Sequence, residues 1–397
     1  PVVYNKLIFH QIHPKENHTL KLELERAKFL KAWQTAEKYI ASKTTIGAMN
    51  GIRITAENDS VTLEATDLKS SVKLTVNNAE VQEPGIAVLN AAVCGDMLRK
   101  SNAQNITLEV RDDKGTLKAG KNRSRFPVIP ADTFPKLPES SGAEEVCEIM
   151  ASDLGKLITE GSCAASAPSD FPKYMGTCLL RTSGQYLIIV STDGKRLARS
   201  QKLCTVRKED DLLLPATALK EAAKNFNTSD MVKIFADGST VWFIFDRKVL
   251  IKEETKDESN EDPQAAITDW KENVVETLEC SIQRIEASFP KFERILNNEV
   301  CTTLKASKPA LLPAIERVDI IAKNNQAHIM AMLLNPGSEP NTESEFTPEP
   351  KLRITARAPE LGTASEVVDA SVEGQAMQIG FNAAYFLDGL KAADSDS

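Results

Sequence analysis

The amino-acid sequence predicts an α+β protein built from three repeated domains, each with two helices and antiparallel sheets. The first observation is an order of elements that recurs three times: a helix pattern, a group of strand patterns and a second helix pattern. The second is a turn that occurs twice, in Ala65–Leu68 and in Thr192–Leu197. The third is a repeated closing word, Phe134-Pro-Lys-Leu137 and Phe289-Pro-Lys-Phe292. Agreement in order, element type and short words indicates an internal repeat.

A helix pattern opens each repeat. Apolar residues recur at helical spacing over Arg26–Ser42, Ala151–Ala165 and Ala306–Lys323. In the first of these helices, the apolar stripe predicted to face the core consists of Phe29, Trp33, Ala36 and Ile40. Another face of the same helix carries Lys28, Lys31 and Lys38.

Strand patterns and a second helix pattern complete each repeat. The strand patterns cover Gly51–Val76, Thr177–Leu203 and His328–Asp369, and His328 is expected to pack in the core. The second helix patterns cover Leu89–Lys100, Leu214–Lys224 and Gly380–Lys391. In the first two repeats, further strands are predicted at Ile106–Val110, Thr116–Ala119, Met231–Phe235 and Thr240–Phe245.

These patterns place domain boundaries near residues 145 and 300. We predict an N-terminal extension over residues 1–19 and domains over residues 20–145, 146–300 and 301–397. The third domain stops after its second helix, so its final strands and C-terminal tail are expected to be missing from this sequence. Residues 253–263 are acidic and lack large apolar side chains, which predicts a solvated loop inserted in the second domain.

Composition and charge favour a globular protein of the cytoplasm. The chain has 397 residues and no apolar run near the roughly 18 residues of a membrane span. Pro1–Asn17 lacks the basic and apolar regions of a signal peptide. The seven cysteines are scattered without a CxxC pair, which favours reduced thiols. The net charge of −8 argues against a protein coated with nucleic acid but leaves room for a local basic surface.

No motif for catalysis, a cofactor or a metal is recognisable. The sequence has no GxxxxGK[ST] phosphate loop, no GxGxxG opening a helix, no HExxH and no GxSxG. His10, His13 and His18 lie in a polar segment without a nearby fourth ligand, so a solvated tail is favoured over a metal site. Asp67 and Asp193 occupy the same turn in different repeats, which favours a scaffold role over an acid–base pair. We therefore predict no catalytic residue, no cofactor and no metal.

Basic residues on the predicted helices indicate a different kind of function. If the repeated units pack in an arc with their helices on one face, these residues form a positive lining with sequence-independent affinity for phosphates. The lining would consist of Lys28, Lys31, Lys38, Lys43, Arg99 and Lys100. Ordinary solvated helix faces are an equally good interpretation of the same charges.

Six short sequence motifs resemble those of the sliding clamp family. The members of this family are the beta subunits, or processivity factors, of bacterial DNA polymerase III. In chain order, the motifs are Lys43-Thr-Thr-Ile46, Ala65-Thr-Asp-Leu68, Ser124-Arg-Phe126, Thr192-Asp-Gly-Lys-Arg-Leu197, Phe289-Pro-Lys-Phe-Glu-Arg-Ile295 and Gly380-Phe-Asn-Ala-Ala-Tyr385. The resemblance covers residues 20–397. It departs at Lys195, where the family more usually has His. The N-terminal extension and the acidic insert have no counterpart in the simpler members.

This resemblance implies a non-catalytic, head-to-tail homodimer whose six domains close a ring around duplex DNA. Such a ring follows DNA by topology, independently of sequence, and tethers the catalytic subunit of the replicative polymerase. The resemblance also implies docking of short peptides from the clamp loader, translesion polymerases, ligase and mismatch-repair proteins. A membrane partner is not implied.

The resemblance further implies where these partners bind. A peptide pocket between the second and third domains would be lined by Met175, Thr192, Gly194, Lys195, Arg196, Leu197, Pro290, Arg294, Ile295, Asn382 and Tyr385. The surface facing DNA would include Lys43, together with Lys173 and Tyr174 of a second loop. The dimer contact would include Ile320 and Ile321.

Two other functions are compatible with the residues alone. A sequence-specific DNA-binding regulator would use the basic helices, and it predicts base-edge contacts from one recognition helix and tight binding to short linear DNA. A hydrolase or transferase would use Asp193 and Arg196.

Overall fold

The computed structural model describes residues 19–41, 44, 46–168, 170–255, 267–296, 299–325, 328–335 and 352–394. Within these ranges the protein is α+β, and the strand pairs with a defined register are antiparallel, for example between β-strands Leu197–Leu203 and Tyr186–Thr192. The predicted fold class is therefore confirmed. The chain divides into two compact units, Pro1–Ala143 with Trp242–Ile282, and Glu144–Val241 with Gln283–Ser397. The three domain ranges stay a prediction.

The helices and strands follow the predicted order. The first part of the chain forms β1 (Leu20–Glu25), α1 (Arg26–Glu37), β2 (Gly51–Glu57), β3 (Ser60–Thr66), β4 (Ser70–Asn77), β5 (Glu80–Glu83), β6 (Gly85–Asn90), α2 (Ala91–Lys100), β7 (Asn105–Arg111), β8 (Lys114–Ala119) and β9 (Asn122–Pro127).

The middle of the chain forms β10 (Glu144–Met150), α3 (Ala151–Gly161), β11 (Thr177–Ser183), β12 (Tyr186–Thr192), β13 (Leu197–Leu203), β14 (Thr205–Val206), β15 (Asp211–Pro215), α4 (Ala216–Ala223), β16 (Met231–Ala236), β17 (Thr240–Thr255) and β18 (Ile267–Gln283). The last part forms α5 (Glu293–Leu296), β19 (Thr302–Ala306), α6 (Lys308–Ala322), β20 (Ile329–Leu334), β21 (Leu352–Ala358), β22 (Gly362–Val368), β23 (Ala370–Gly374), β24 (Met377–Asn382) and α7 (Ala383–Ala392).

The first unit contains two sheets and two helices. One sheet has the strand order β5-β1-β7-β8-β9, and another runs β17-β18-β4-β3-β2-β6. The Trp33 side chain of α1 is fully buried, and its Nε1 donates a hydrogen bond of 3.1 Å to the carbonyl oxygen of Ala91 at the start of α2. This bond fixes the two helices against each other.

Helix α1 is shorter than its apolar spacing predicts. The backbone N–H groups of Lys38, Tyr39 and Ile40 donate to carbonyls three residues earlier, which tightens the last turn and ends the helix. Tyr39 is consequently buried, with its hydroxyl 3.1 Å from the Cys280 sulfur. Ile40, which was predicted to complete the core stripe, is only half-buried.

Strand β17 is longer than predicted. Its predicted end was Phe245, but it continues to Thr255, and β18 follows from Ile267 and pairs with β4 from Glu276 opposite Val76 to Ile282 opposite Ser70. β17 lies beside β18 in its sheet, and cross-strand pairing supplies backbone hydrogen bonds that a local pattern does not show. Three residues of the predicted acidic loop, 253–255, therefore belong to β17, and the rest of that loop lies outside the described residues.

The second unit contains the sheets β13-β12-β11-β15, β22-β21-β20-β24 and β19-β23, and β10 pairs with both β14 and β16. Helix α6 packs on the sheet of β20 and β21 through Ile315 and Val318, which contact a core that includes Met330 and Ile354.

His328 is not the packed core residue that the sequence predicts. It precedes β20 with a positive φ of 54°, and its side chain is about one-third exposed. Its Nε2 lies 2.7 Å from a carboxylate oxygen of Asp319 on α6. The backbone reverses at His328, which turns the imidazole toward the helix and away from the core.

Candidate functional site

A hydrogen-bonded turn between β12 and β13 is the centre of the candidate site. Asp193 Oδ1 accepts hydrogen bonds from the backbone N–H groups of Lys195 (2.9 Å) and Arg196 (3.0 Å). Thr192 Oγ1 accepts from the Gly194 N–H at 3.0 Å and donates to the Arg196 carbonyl at 2.6 Å. Gly194 has a φ of +81°, where a side chain costs energy. The turn is therefore fixed by its own side chains.

The same turn recurs between β3 and β4. Asp67 Oδ1 accepts from the N–H groups of Lys69 (2.9 Å) and Ser70 (2.6 Å), and Thr66 Oγ1 accepts from the Leu68 N–H at 2.9 Å. Leu68 takes the position of Gly194 and has a φ of +71°. Because Asp67 and Asp193 perform the same local bonding, the geometry gives both carboxylates a structural role.

Arg196 joins this turn to helix α7. Its guanidinium lies over the Tyr385 ring, 4.2 Å from the ring centre, an arrangement with cation–π attraction. Its Nη1 donates to Asp388 at 2.8 Å, and its Nε donates to Asp193 at 3.1 Å. Asp388 is 192 residues away in sequence, so the sequence gives no signal for this partner.

Helix α7 is positioned by its own first residues. The Asn382 side chain caps the helix by accepting a hydrogen bond of 3.2 Å from the Tyr385 N–H. This cap fixes the start of the helix and therefore the ring on which Arg196 lies. Asn382 and Tyr385 were both predicted for the pocket, and the structure places them one helical turn apart beside Arg196.

An apolar wall continues from the turn. Leu197 packs on a cluster that contains Leu179, Val190, Leu213, Phe292 and Phe289. Phe289 in turn lies edge-on to the Tyr174 ring, with ring centres 6.0 Å apart. A Cβ at Gly194 would lie 3.2 Å from the terminal carbon of Met175, so the turn and Met175 are in close contact.

The remaining predicted pocket residues lie on adjoining segments of the same unit. Lys195 is exposed on the turn, and Pro290 is half-buried directly after Phe289. Arg294 and Ile295 are exposed on α5, where 60% of Ile295 is accessible. The structure thus brings Met175 to Gly194, Arg196 to Tyr385 and Leu197 to the Phe289 cluster, and α5 begins directly after Phe292.

A basic cleft borders Arg196 on α3, α4 and α7. Its volume is about 590 Å³, and its charged lining residues are Arg196, Lys220, Lys224, Asp388 and Lys391. Four of these five are cations. Lys220 and Lys224 are four residues apart and therefore share one face of the helix end, a spacing that the sequence analysis did not use.

The predicted basic surface of the first unit is partly neutralised. Lys28 pairs with Glu25 at 2.7 Å, and Arg99 pairs with Glu37 at 2.8 Å and Asp96 at 2.9 Å. Lys31 on α1, Lys38 directly after it and Lys100 at the end of α2 are further exposed cations. Lys43 lies outside the described residues.

The other predicted positions lie in the second unit. Lys173 is exposed in a short helical turn before β11, and the adjacent Tyr174 is half-buried against Phe289. On α6, Ile320 is 57% exposed, whereas Ile321 packs against the hydrophobic core. Ile320 and Ile321 therefore differ in what they can offer to a partner.

No group of three or more His, Cys, Asp or Glu side chains that could hold a metal ion occurs among the described residues. His10, His13 and His18 lie outside the described part of the chain. None of the described helices has the length and apolar character to cross a membrane.

Two family models match this chain. The model of the DNA polymerase III beta subunit N-terminal domain matches residues 20–138, and that of the C-terminal domain matches residues 293–397. A beta sliding clamp of Pseudomonas putida is 25% identical over 376 residues, covering 92% of this chain and 89% of that protein. Such relatives do not support a sequence-specific regulator.

Solved structures show the same fold. The DNA polymerase sliding clamp from Bacillus subtilis superposes with a TM-score of 0.76 at 20% identity, covering 95% of this chain and 91% of that one. A sliding clamp from Pseudomonas aeruginosa bound to griselimycin gives a TM-score of 0.76 at 22% identity, with the same coverage of both chains.

Proposed function

The chain belongs to the DNA polymerase III beta subunit family, and from this premise we propose that it encircles duplex DNA as a sliding clamp. Members of this family are non-catalytic processivity factors. The chain therefore holds the replicative polymerase on DNA and performs no reaction of its own. We place this activity in the cytoplasm, where the chromosome of a bacterium lies.

The observation that carries the proposal is the surface shared by the Thr192–Leu197 turn and α7. Leu197, Met175 and the Phe289 cluster offer apolar contacts of the kind that bury a Leu or Phe of a short peptide. Arg196 is bonded to Asp193 and Asp388, so it holds the turn and α7 together. We propose that polymerase, clamp loader, translesion polymerases, ligase and mismatch-repair proteins dock here.

Basic residues in both units support sequence-independent contact with DNA. In the first unit, Lys31, Lys38 and Lys100 are the exposed cations of the α1–α2 surface, and Lys28 and Arg99 add charge that their acidic partners reduce. In the second unit, the basic cleft and the exposed Lys173 add further cations, of which Lys224 and Lys391 are paired with Glu221 and Glu316. Lysines attract phosphates as point charges, which suits a protein that must slide.

Two sheet edges support a head-to-tail dimer. β9 ends its sheet and carries exposed Arg123 and Arg125, and β22 ends another sheet and carries the half-exposed Val367. Edge strands with free backbone groups can pair between two copies of the chain. Ile320 offers an exposed apolar contact on α6. We propose that two chains close a ring through these surfaces.

Retention on circular DNA tests the proposed function. After loading by a clamp loader, the protein is expected to stay on nicked circular duplex and to be lost when the circle is linearised. A radiolabelled or fluorescent chain followed by gel filtration with the DNA measures both. Rapid loss from the closed circle, or tight sequence-dependent binding to short linear duplex, would contradict the proposal.

Peptide affinity tests the docking surface separately. The double variant Leu197→Ala with Arg294→Ala is expected to weaken binding of a polymerase-derived peptide by about tenfold or more, equivalent to about 1.4 kcal/mol. Fluorescence anisotropy of the labelled peptide measures this. Leu203→Ala with Arg199→Ala on β13, where both side chains are exposed, is the matched control and should bind as wild type. Equal affinities for both double variants would exclude this pocket.

A further inference from the structure

Two cysteines lie side by side in the second unit, away from the docking surface. Cys147 is buried in β10, and the half-buried Cys204 directly precedes β14. These strands pair antiparallel, with Cys147 opposite Val206 and Glu148 opposite Thr205. Continuing the same register places Cys204 opposite Ile149. Because side chains alternate between faces, Cys147 and Cys204 are diagonal neighbours on one face.

Cys147 and Cys204 lie close enough to shift each other's pKa. Interaction with the Cys147 thiol lowers the pKa of Cys204 because it stabilises the Cys204 thiolate. The same interaction, together with burial, raises the pKa of Cys147. The more accessible sulfur therefore has the greater thiolate character, and its neighbour retains the proton. This is the arrangement of an attacking thiol beside a resolving thiol.

We propose that Cys147 and Cys204 are a dithiol that hydrogen peroxide oxidises to an intramolecular disulfide. The Cys204 thiolate attacks one peroxide oxygen, which forms a sulfenic acid and releases hydroxide. The Cys147 thiol gives its proton to that hydroxide, and its sulfur displaces the sulfenic oxygen, which leaves as hydroxide and is neutralised by the proton that Cys204 released to solvent on forming its thiolate. Overall, two thiols and one peroxide give one disulfide and two waters.

The fold allows the new bond. Diagonal neighbours are somewhat farther apart than the Cα separation of a disulfide, so one strand must move. β14 is a two-residue strand that lies at the edge beside β10, so only a short ladder opposes its movement. The hydrogen bond of 3.0 Å from the Cys204 N–H to the Gln185 carbonyl would have to follow or break. The closed loop would include β11, β12 and β13 and therefore the Thr192–Leu197 turn. Oxidation would tie the sheet that carries the turn to β10.

Peroxide treatment of the full chain tests this proposal. After oxidation, denaturation and alkylation with N-ethylmaleimide, intact mass should show two fewer alkylated thiols per chain than in the untreated protein. Peptide mapping without reductant should show one linked species containing Cys147 and Cys204, and its yield should not depend on protein concentration. Reduction with dithiothreitol should restore both thiols.

Four variants make the result specific. Cys204→Ala and Cys147→Ala should each abolish the linked species, whereas Cys163→Ala should retain it, because Cys163 is half-buried but has no part in the bridge. Cys301→Ala removes the exposed thiol and should also retain it. If the wild-type map shows Cys204 as sulfinic acid without a bridge, bridges to another cysteine, or both thiols intact, the proposal is wrong. The outcome does not depend on DNA or peptide binding.

Discussion

At the scale of single residues, the repeated turn separates what the fold needs from what the site needs. Leu68 and Gly194 occupy the same left-handed position, and the flanking Thr and Asp side chains make the same hydrogen bonds in both turns. A left-handed conformation costs an ordinary residue roughly 1–2 kcal/mol. The first turn tolerates that cost. The second has Gly, and there Met175 approaches the backbone closely.

Adding a side chain at position 194 and removing the side chain at position 68 test this interpretation. Gly194→Ala is expected to lower the free energy of unfolding by about 1 kcal/mol, because Cβ meets both an unfavourable φ and Met175. Leu68→Gly should not lower it, because relief of the strain offsets the added backbone entropy of about 0.5–1 kcal/mol. Urea denaturation of both variants measures this. A larger loss for Leu68→Gly than for Gly194→Ala would contradict the assignment.

Arg196 is expected to position α7 for a ligand. Arg196→Ala should weaken peptide binding, because the Tyr385 ring and Asp388 lose the group that links them to the turn. In a double-mutant cycle with Asp388→Asn, we expect a coupling of about 0.5 kcal/mol, since Asp388 is half-exposed and the pair is screened by solvent. Peptide titration measures all four proteins.

A second acid on the same segment provides the control for that cycle. Asp394, just after α7, pairs with Lys156 at 2.6 Å and is similarly exposed, but it does not bond to Arg196. Asp394→Asn should therefore give no coupling with Arg196→Ala. Strictly additive effects for Asp388→Asn as well would show that Arg196 acts alone.

At the scale of elements, local pattern predicts where helices and strands occur but not which distant side chains meet. Helix α1 is recognisable in the sequence because Phe29 and Trp33 follow helical spacing. Its end is not, because Tyr39 turns inward to a partner 241 residues away, Cys280. The Arg196–Asp388 pair was invisible for the same reason. The pocket residues were predicted from the resemblance to the sliding clamp family. Without that resemblance, the sequence pattern indicates that Leu197 is an ordinary core residue.

An ion-pair cluster on the β7–β8 pair makes the free energy of unfolding depend on pH in the acidic range. Glu109 accepts hydrogen bonds from Arg111 at 2.9 Å and Lys118 at 3.0 Å, which lower its pKa from about 4.5 to about 2. The folded state therefore favours the ionised carboxylate. The resulting stabilisation is complete above about pH 4.5 and is lost as the pH falls toward about 2. Exposed cationic partners limit it to about 1 kcal/mol.

Glu109→Gln should remove this dependence. The variant is expected to be less stable than wild type at pH 7, and the difference should shrink progressively below pH 4.5. Urea denaturation at several pH values measures it. Glu57→Gln at the exposed end of β2 is the matched control. A difference between wild type and Glu109→Gln that stays constant down to about pH 2 would contradict the role of Glu109.

At the scale of the whole molecule, an acidic chain is compatible with a ring on DNA, because a closed ring stays on the duplex without tight binding to its phosphates. The net charge of −8 disfavours strong general attraction to phosphates, yet cations are concentrated on α1, α2 and the basic cleft. A closed ring needs only enough positive charge to keep its lining compatible with DNA, and weak contacts allow sliding. Retention must then come from ring closure, so the contact between two chains is essential for function.

We expect a charge at Ile320 to break the contact between two chains. Ile320→Asp places a charge on an exposed position of α6 and should shift the particle from twice the chain mass of 43.5 kDa toward the single chain, with retention on circular DNA lost in parallel. Analytical ultracentrifugation measures the mass. Ile321→Asp is unsuitable, because Ile321 packs in the core and its charge would unfold the region.

Leu203→Asp provides the comparison for Ile320→Asp. Leu203 is 62% exposed on β13, close to the 57% of Ile320, so both substitutions add one charge at a similarly exposed apolar position. Leu203→Asp should keep the mass of two chains and the retention on circular DNA. If both variants dissociate equally, the effect is general repulsion between acidic chains, and α6 is not the contact. If Ile320→Asp remains a dimer that is retained on DNA, the ring closes elsewhere.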